Sequence, residues 1–314
     1  MKSPLTTPTA PTGEQWSLRL GDQEAVIAEV GGTLRSYTVD GRPLVSGFEE
    51  DEECDACRGQ VLVPWPNRIR DGVYTVDGEE HQLALTEPER HNAIHGLVCW
   101  SLFDLLDRSQ STVTVGTRLR PQKGWSWSLD VEIEYALGDD GLTVTPLVVN
   151  VGEGRAPFAF GAHPYLTAGE THVDQTSLSV PAAHYLQVDP ERLLPVRDTL
   201  AESLAVETDF RGGECPLAGL QLDRAYTGLV AGADGRWRVR LAGPERAVTL
   251  WADATAYPWL QVFTGDALPE ADRRTTGVAV EPLTAGPNAF VTGEGVLWLE
   301  PGEDWSAPFG ICPE

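Results

Sequence analysis

The sequence predicts an all-β protein, a large antiparallel β-sandwich, from two observations: apolar and polar residues alternate strictly, and turn dipeptides separate the alternating runs. The clearest run covers residues 129–135, where apolar and charged side chains alternate without a break. A period of two is typical of a half-buried antiparallel strand. Asp-Gly pairs begin at positions 40, 71, 77, 140 and 234, and such pairs favour tight hairpins.

Glycine and proline leave little room for long helices, since the chain contains 32 Gly and 23 Pro in 314 residues. Residues 198–204 are the best candidate for a short helix. Residues 1–14, rich in Pro and Thr, are predicted to form a flexible N-terminal tail. No linker, composition change or internal repeat divides the remainder, so residues 15–314 are predicted to form a single domain.

The composition excludes several classes of partner. The 47 acidic and 23 basic residues give a formal net charge of −24, which repels nucleic acid and anionic membranes. No apolar run approaches the roughly 20 residues that span a bilayer. The N-terminal segment lacks the apolar region of a signal peptide, so a cytoplasmic location is expected.

Five scattered cysteines, an odd number, do not form the pattern of a disulfide framework. Cys54 and Cys57 have CxxC spacing, but no second pair accompanies them. Free thiols in a loop are therefore favoured over a metal or redox role.

Two ionisable residues, His163 and Glu281, each follow an apolar run and precede a proline. A residue before proline is extended, and proline cannot donate to a sheet, so both side chains are expected at strand-terminating positions on a stiff backbone. That suits a catalytic group. A single histidine at the end of a strand, such as His163, more often has a structural role than a catalytic one. Glu281, after Val-Ala-Val, is expected to be desolvated, with its pKa raised towards that of a general base.

A third segment contains Trp65, Asn67 and Arg68, and its two prolines would present the guanidinium rigidly to hydroxyls or a carboxylate. His91, His95 and Cys99 recur at intervals of four, as metal ligands on a helix would. The residues around them favour loop and strand instead, which argues against a metal site.

Five short motifs together resemble the aldose 1-epimerase (galactose mutarotase) family in their order and spacing. They are Pro66-Asn67-Arg68-Ile69, Asn92-Ala-Ile-His95-Gly96, Ala162-His163-Pro164-Tyr165, Leu222-Asp223-Arg-Ala-Tyr226 and Ala279-Val-Glu281-Pro282. The resemblance extends from about Glu24 to the C-terminus. It implies a β-sandwich of the galactose mutarotase type that interconverts the anomers of a hexose such as glucose or galactose, with no metal and no organic cofactor.

The resemblance also implies roles for individual residues. Glu281 corresponds to the catalytic base and His163 to the catalytic acid, and the two are expected on opposite sides of the sugar ring. The substrate-binding residues are expected to be His95, Arg68 and Asp223. The expected substrate-binding group also includes Asn67, Trp65 and Tyr165, because they lie beside these site residues in the sequence. The two aromatic rings can stack on the C–H faces of a sugar.

The sequence departs from the common galactose enzymes, which have Asn-His-Ser-Tyr-Phe-Asn where this chain has Gly161-Ala162-His163-Pro164-Tyr165-Leu166. It resembles more closely a bacterial branch of mutarotase-like proteins, which leaves the preferred sugar open.

Three other functions are weighed against a neutral hexose substrate. A phosphorylated or sulfonated hexose would need further arginines, of which Arg70, Arg273 and Arg274 are available. A sugar-binding protein without turnover would not need both His163 and Glu281. A glycoside hydrolase would need a second carboxylate, for which Asp223 is the only candidate. The partner is therefore expected to be a small monosaccharide, and a homodimer is left open.

Overall fold

The computed structural model describes residues 10–169, 172–201, 209–269 and 277–314, and strands occur in each of these segments. Apart from the strands, the described residues form short 3-10 turns at Pro88–Arg90 and Val173–Gln175 and one helix, α1 (Ala289–Thr292). The strands are β1 (Gln15–Leu20), β2 (Gln23–Ala28), β3 (Thr33–Val39), β4 (Arg42–Val45), β5 (Val61–Leu62), β6 (Arg68–Arg70), β7 (Val73–Val76), β8 (Glu79–Gln82), β9 (Asn92–Ile94), β10 (Asp104–Arg108), β11 (Thr112–Leu119), β12 (Leu129–Gly138), β13 (Gly141–Asn150), β14 (Ala156–Phe158), β15 (Gly161–Ala162), β16 (Tyr165–Leu166), β17 (Ser177–Ser179), β18 (Ala182–Val188), β19 (Pro195–Ala201), β20 (Cys215–Pro216), β21 (Asp223–Leu229), β22 (Arg236–Ala242), β23 (Ala247–Asp253), β24 (Trp259–Phe263), β25 (Val278–Leu283), β26 (Leu297–Leu299), β27 (Asp304–Ser306) and β28 (Phe309–Pro313).

Two antiparallel sheets contain most of these strands. The first has the order β1-β2-β3-β4-β16-β25-β24-β21-β18-β19, with β15 and β5 attached beside β25. The second has the order β10-β11-β12-β13-β28-β23-β22-β17-β20, with β27 beside β13. Both sheets contribute to one hydrophobic core, for example Tyr37 and Leu260 from the first and Ile133 and Val239 from the second. The predicted antiparallel β-sandwich is confirmed.

The alternating run of the sequence is a strand of the second sheet. In β12 the residues from Leu129 onwards are alternately buried and more exposed, and the strand pairs with β13 without a register shift from Leu129 to Gly138. Alternation predicts this strand well because one face packs on the core while the other faces solvent.

Two sequence predictions about local structure need correction. Residues 198–201 belong to β19, which pairs with β18, so no helix forms there; residues 202–204 lie outside the described part of the chain. The predicted tail of residues 1–14 is too long, because Thr12 is buried and its carbonyl accepts a hydrogen bond from the Val30 N–H (3.0 Å). Side-chain and backbone contacts therefore begin before β1; residues 1–9 lie outside the described range. Within the described residues no helix is long and apolar enough to cross a membrane.

An interruption in the first sheet places the predicted chemistry. Strand β25 pairs with β24 on one side and with two short strands, β15 and β16, on the other. His163 lies in the break between these two short strands. Glu281 lies within β25, which continues through Pro282 to Leu283, so the expectation that this proline ends the strand is wrong.

The proline is accommodated because of where its nitrogen faces. The N–H groups of Val280 and Thr284 donate to the carbonyls of Pro164 and Phe160. By the alternation of an antiparallel ladder, the nitrogen of Pro282 faces the same side, so it removes no hydrogen bond from the pairing with β24.

Candidate active site

A cleft of about 300 Å³ lies over the interrupted part of the first sheet. Strands β25, β24, β21 and β16 form one wall, and the β6–β9 pair with the preceding loops forms another. Of the predicted site residues, the structure brings seven to this cleft and leaves out Trp65. The seven are Asn67, Arg68, His95, His163, Tyr165, Asp223 and Glu281.

His163 and Glu281 are in direct contact. The distance from His163 Nε2 to Glu281 Oε1 is 3.3 Å, and the two side chains are 7% and 2% exposed. The second carboxyl oxygen of Glu281 is buried and has no hydrogen-bond partner among the described residues, which leaves it available to a ligand. No sugar ring fits between groups this close, so the expectation that they lie on opposite sides of a pyranose is wrong. Both groups can reach one edge of a ring.

Burial displaces the pKa values of this pair in opposite directions. Desolvation lowers the pKa of His163 to about 3. Desolvation, together with the negative charge of Asp223, raises the pKa of Glu281 well above its usual value, although Arg68 opposes the shift. Because two groups in contact titrate as a unit, these opposite shifts favour the arrangement in which the shared proton is on Glu281.

His95 is a neutral hydrogen-bond donor beside this pair. Its ring lies 5.3 Å from the His163 ring, centroid to centroid, in an edge-to-face arrangement. Burial, and then the neighbouring His163 and Arg68, lower the pKa of His95 well below its usual value. Its Nδ1 accepts the backbone N–H of Asn67 at 3.3 Å, so the proton of the neutral ring is on Nε2.

Two of the sequence motifs form one local structure around this histidine. Strands β6 and β9 pair Arg68 with Ile94, and the His95 N–H donates to the Asn67 carbonyl at 3.1 Å. Asn67 and His95 both have a left-handed backbone, with φ of 56° and 61°. Gly96 follows at φ 78°, and a Cβ there would lie 2.2 Å from the Val63 carbonyl oxygen. The glycine is therefore required for the turn that directs His95 into the cleft.

Arg68 is bound mainly by a carboxylate that the sequence did not reveal. Its Nε and Nη2 donate to both oxygens of Glu87 at 2.9 to 3.1 Å, a two-pronged contact, and both residues are buried. Its Nη2 also lies 3.7 Å from Asp223 Oδ2. The guanidinium thus connects Glu87 to Asp223 and gives the cleft a fixed positive charge. Nothing in the sequence around Glu87 identified it, because it belongs to none of the five motifs.

Gln261 is a second site residue that the sequence analysis missed. It pairs with Glu281 across the β24–β25 register, and its Nε2 donates to Asp223 Oδ1 at 2.5 Å. The Asn67 side-chain amide donates to its Oε1 at 3.4 Å. A signal for it was present: Gln261 is the one polar residue in the buried strand Trp-Leu-Gln-Val-Phe, and a buried polar residue in such a strand needs partners.

The two aromatic residues predicted to bind substrate have different positions. The Tyr165 ring lines the cleft and stacks on His163 with centroids 5.1 Å apart and planes 21° apart. Trp65 is buried in the core, where its ring packs against Phe290 with centroids 5.8 Å apart. It does not line the cleft, so its prediction as a substrate-binding residue is corrected.

The fold separates His91 from His95 and Cys99, the three residues considered above as metal ligands. His91 lies on the surface against Asp71, whereas His95 and Cys99 are directed inwards. In the described segments no group of three or more histidine, cysteine, aspartate or glutamate residues has a metal-binding arrangement.

The fold and this site define a β-sandwich protein of the galactose mutarotase type. The chain belongs to the aldose 1-epimerase family, whose sequence model matches residues 14–312.

Individual relatives agree with this assignment. The uncharacterized protein YihR of Escherichia coli (strain K12) is 33% identical over 303 residues, which cover 96% of this chain and 93% of YihR. The crystal structure of a putative aldose 1-epimerase from Escherichia coli K12 has a TM-score of 0.81 at 22% identity, covering 96% of this chain and 99% of the other. The structure of galactose 1-epimerase from Lactobacillus acidophilus NCFM has a TM-score of 0.78 at 19% identity, covering 95% and 93%. At these identities the two structures support the fold alone.

Proposed function

We propose that the protein is an aldose 1-epimerase that interconverts the α and β anomers of a neutral hexose such as glucose or galactose. The observation that carries the proposal is the 3.3 Å contact between His163 Nε2 and Glu281 Oε1 in a buried part of the cleft. Opening a sugar ring requires one proton to leave the C1 hydroxyl and one to reach the ring oxygen. Both oxygens are bonded to C1, so the acid and the base must lie side by side, as these two groups do.

The proton balance of the reaction suits a pair that holds one proton. When the sugar binds, the shared proton moves from Glu281 to His163. In ring opening, Glu281 then takes the proton of the C1 hydroxyl while His163 gives its proton to the ring oxygen, and the bond between C1 and that oxygen breaks. The pair then has its proton on Glu281, which is the ligand-free arrangement. After the aldehyde end rotates, the same transfers in reverse close the ring on the other face. Each positioned transfer contributes roughly 10²–10⁴-fold.

The other cleft residues supply binding contacts in this proposal. His95 Nε2–H would donate to the ring or C1 oxygen as charge develops there. Asp223, oriented by Gln261 and Arg68, would accept hydrogen bonds from hydroxyls remote from C1. Tyr165 holds the His163 ring by stacking and offers an apolar surface to the sugar. Asn67 holds the His95 loop.

The charge of the cleft supports a neutral substrate. Among the described residues, its lining includes the carboxyl groups of Glu87, Glu89, Asp223 and Glu281 and the guanidinium groups of Arg68 and Arg90. Arg68 is already bound to Glu87. An anionic substrate would meet more negative than positive side chains.

One observation favours the second candidate, an epimerase of a phosphorylated or sulfonated hexose. The cleft adjoins a cavity of about 620 Å³, and both are lined by Arg90, Asp223, Phe263 and Ala267. Arg90 Nε is buried and has no hydrogen-bond partner within the described ranges. An anionic group on the sugar carbon furthest from C1 could reach it. Of the other arginines considered, Arg70 is exposed, and Arg273 and Arg274 lie outside the described residues.

Polarimetry of freshly dissolved α-glucose and α-galactose tests the proposal directly. We expect anomerisation above the spontaneous rate and no hydrolysis of an aryl glycoside. Hexose 6-phosphate and a 6-sulfonated hexose in the same assay separate the two candidates, since the neutral sugars should give the higher kcat/KM. Binding of a hexose by calorimetry without any anomerisation would make the protein a sugar-binding relative instead.

The substitution Glu281→Gln tests the role of the carboxylate, because it keeps the shape of the side chain and removes the base. We expect the enzymatic rate to fall by about 10²–10⁴-fold. The matched control is Asp71→Asn, which alters a carboxylate on the surface 2.8 Å from His91 and should leave the rate unchanged. A Glu281→Gln rate within about threefold of wild type would refute the assignment.

A further inference from the structure

A pair of thiols lies beside the proposed catalytic pair and has no part in the chemistry above. Cys57 lines the cleft and is half-buried, and Cys99 is buried behind it. Gln60 links the two residues, because its N–H donates to the Cys57 carbonyl at 3.0 Å and its side-chain amide donates to the Cys99 carbonyl at 2.6 Å. The two thiols are close enough to shift each other's pKa. Cys57 is also close enough for its negative charge to raise the pKa of Glu281.

The loop that carries Cys57 is bound to the backbone of His163. Ala56 and Cys57 both have a left-handed backbone, with φ of 47° and 55°. Such consecutive strained residues persist only where surrounding contacts hold them. Here the Tyr165 hydroxyl donates to the Ala56 carbonyl at 3.3 Å, and the Gly59 N–H donates to the His163 carbonyl at 2.9 Å.

Cys99 is bound in turn to the segment that carries His95. Its Sγ lies 3.1 Å from the His95 carbonyl oxygen, which accepts its hydrogen bond. Its own carbonyl accepts a hydrogen bond from Gln60 Nε2 at 2.6 Å. A covalent bond between Cys57 and Cys99 would therefore connect the loop of one active-site histidine to the segment of the other.

The CxxC partner of Cys57, Cys54, is differently placed. Cys54 is buried and its Sγ donates to the Arg58 carbonyl at 3.5 Å. Burial, and then the charge of Cys57, raise the pKa of Cys54 to about 12. By contrast, the neighbouring Cys99 side chain lowers the pKa of Cys57, although burial opposes this. Cys57 is thus the thiol of the three with both access to solvent through the cleft and thiolate character.

We propose that Cys57 is an oxidation site, that hydrogen peroxide converts Cys57 and Cys99 into a disulfide, and that this disulfide reversibly stops turnover. The Cys57 thiolate attacks a peroxide oxygen, the O–O bond breaks, and the leaving hydroxide takes up a proton, which gives water and a sulfenic acid on Cys57. The Cys99 sulfur then attacks the Cys57 sulfur, the S–O bond breaks, and hydroxide leaves with the Cys99 proton as water. Two thiols are oxidised by two electrons and one peroxide is reduced to two waters.

The loss of turnover follows from the length of the new bond. An S–S bond of about 2.05 Å is much shorter than a thiol hydrogen bond, so oxidation must move the Cys57 loop, the Cys99 segment or both. Because these segments position His163 and His95, displacements near 1 Å are expected to reduce the rate by about tenfold or more. This consequence rests on the proposed function, whereas the disulfide does not.

The experiment treats the full-length reduced protein with hydrogen peroxide and maps the cysteines by mass spectrometry of unreduced peptides. The expected product is one disulfide joining Cys57 to Cys99. Anomerisation should fall about tenfold or more in parallel with its formation, and dithiothreitol should restore both. A disulfide between Cys54 and Cys57, or five free thiols after treatment, would overturn the site assignment.

Three variants, each compared with its own reduced form, complete the test. Cys99→Ser removes the second sulfur, so peroxide should give no disulfide. Cys54→Ser and Cys215→Ser should still form the Cys57–Cys99 bond, because Cys54 is bonded elsewhere and Cys215 lies in β20 of the other sheet. A Cys57–Cys99 disulfide that leaves the anomerisation rate unchanged would overturn the inhibitory role. A reduced protein with no anomerase activity would count against the proposed function only, since the peptide map decides the disulfide independently.

Discussion

The molecule contains the same chemical pair, a histidine beside a carboxylate, in two different surroundings. On the surface, His91 Nδ1 lies 2.8 Å from Asp71 Oδ1, and the two side chains are 64% and 43% exposed. In the cleft, His163 Nε2 lies 3.3 Å from Glu281 Oε1, and the exposures are 7% and 2%. The distances are similar, so the difference between the pairs lies in their access to water.

Burial reverses the charge preference of the carboxylate. For Asp71, slight desolvation is outweighed by hydrogen bonds from His91 and Arg192, and its pKa is lowered. For Glu281, desolvation is the largest influence and its pKa is raised. An exposed carboxylate such as Asp71 stays ionised and has no tendency to take a proton from its histidine. A buried carboxyl group with a raised pKa, such as Glu281, can exchange a proton with the histidine beside it. Proximity together with burial, rather than proximity alone, therefore makes the buried pair the candidate for catalysis.

Replacing the histidine of each pair tests this difference most strongly. His163→Gln removes the group that we propose protonates the ring oxygen, and we expect the anomerisation rate by polarimetry to fall about 10²–10⁴-fold. His91→Gln removes the corresponding group of the exposed pair and should leave the rate within about twofold, because it lies outside the cleft.

The two variants also need to be compared for folding. Equal far-ultraviolet circular dichroism spectra for both would assign the difference in rate to chemistry. Equal rates in the two variants would mean that His163 has no role that His91 lacks, and the proposed mechanism would fail.

The regular parts of the fold could be predicted from the sequence because they obey local rules. Strand β12 alternates since one face is buried, and Asp139 and Asp140, just before Gly141, form the turn of the hairpin to β13. The site lies where those rules stop, at the break between β15 and β16 opposite β25. Pro164 and Pro282 identified this place correctly, although Pro282 lies inside its strand.

What the sequence could not supply is the set of contacts between distant segments. Glu87 meets Arg68 through a two-pronged ion pair that no motif indicates, and Gln261 meets Asp223 only because β24 and β21 are neighbours. Trp65 shows the opposite case: its position beside two site residues suggested the cleft, but its side chain faces the core. A motif specifies residue types, whereas the face on which each residue lies depends on the packing around it.

Burial should also change how much an ion pair contributes to the free energy of unfolding. Glu87→Gln leaves the buried Arg68 charge with Asp223 alone, at 3.7 Å, so we expect the free energy of unfolding to fall by about 3 kcal/mol. The control is Glu24→Gln, which breaks the exposed 2.7 Å pair with Arg19 and should cost less than about 1 kcal/mol. Urea unfolding measures both. If the two costs are equal, the buried pair does not depend on its low-dielectric surroundings.

The pH dependence of the free energy of unfolding tests the assignment of the buried pair, with a smaller expected change. The pKa of His163 is lowered to about 3 in the folded state, against its usual value of 6.5, so between these limits the unfolded chain binds more protons at this residue than the folded protein does. Stability from this group is therefore present above pH 6.5 and is lost as the pH falls towards 3. His163→Gln removes this proton uptake, so the free energy of unfolding of wild type should fall more steeply over this range than that of the variant.

Because one pKa unit is worth about 1.4 kcal/mol, we expect the two urea-unfolding curves to diverge by at least about 1 kcal/mol from pH 6.5 to pH 4.5. The same pH series comparing wild type with His91→Gln gives the reference for an exposed histidine. Parallel pH curves for wild type and His163→Gln would show that His163 can take up a proton in the folded protein as readily as in water. The cleft would then be wet rather than desolvated, and the single-proton pair on which the proposed mechanism depends would not exist.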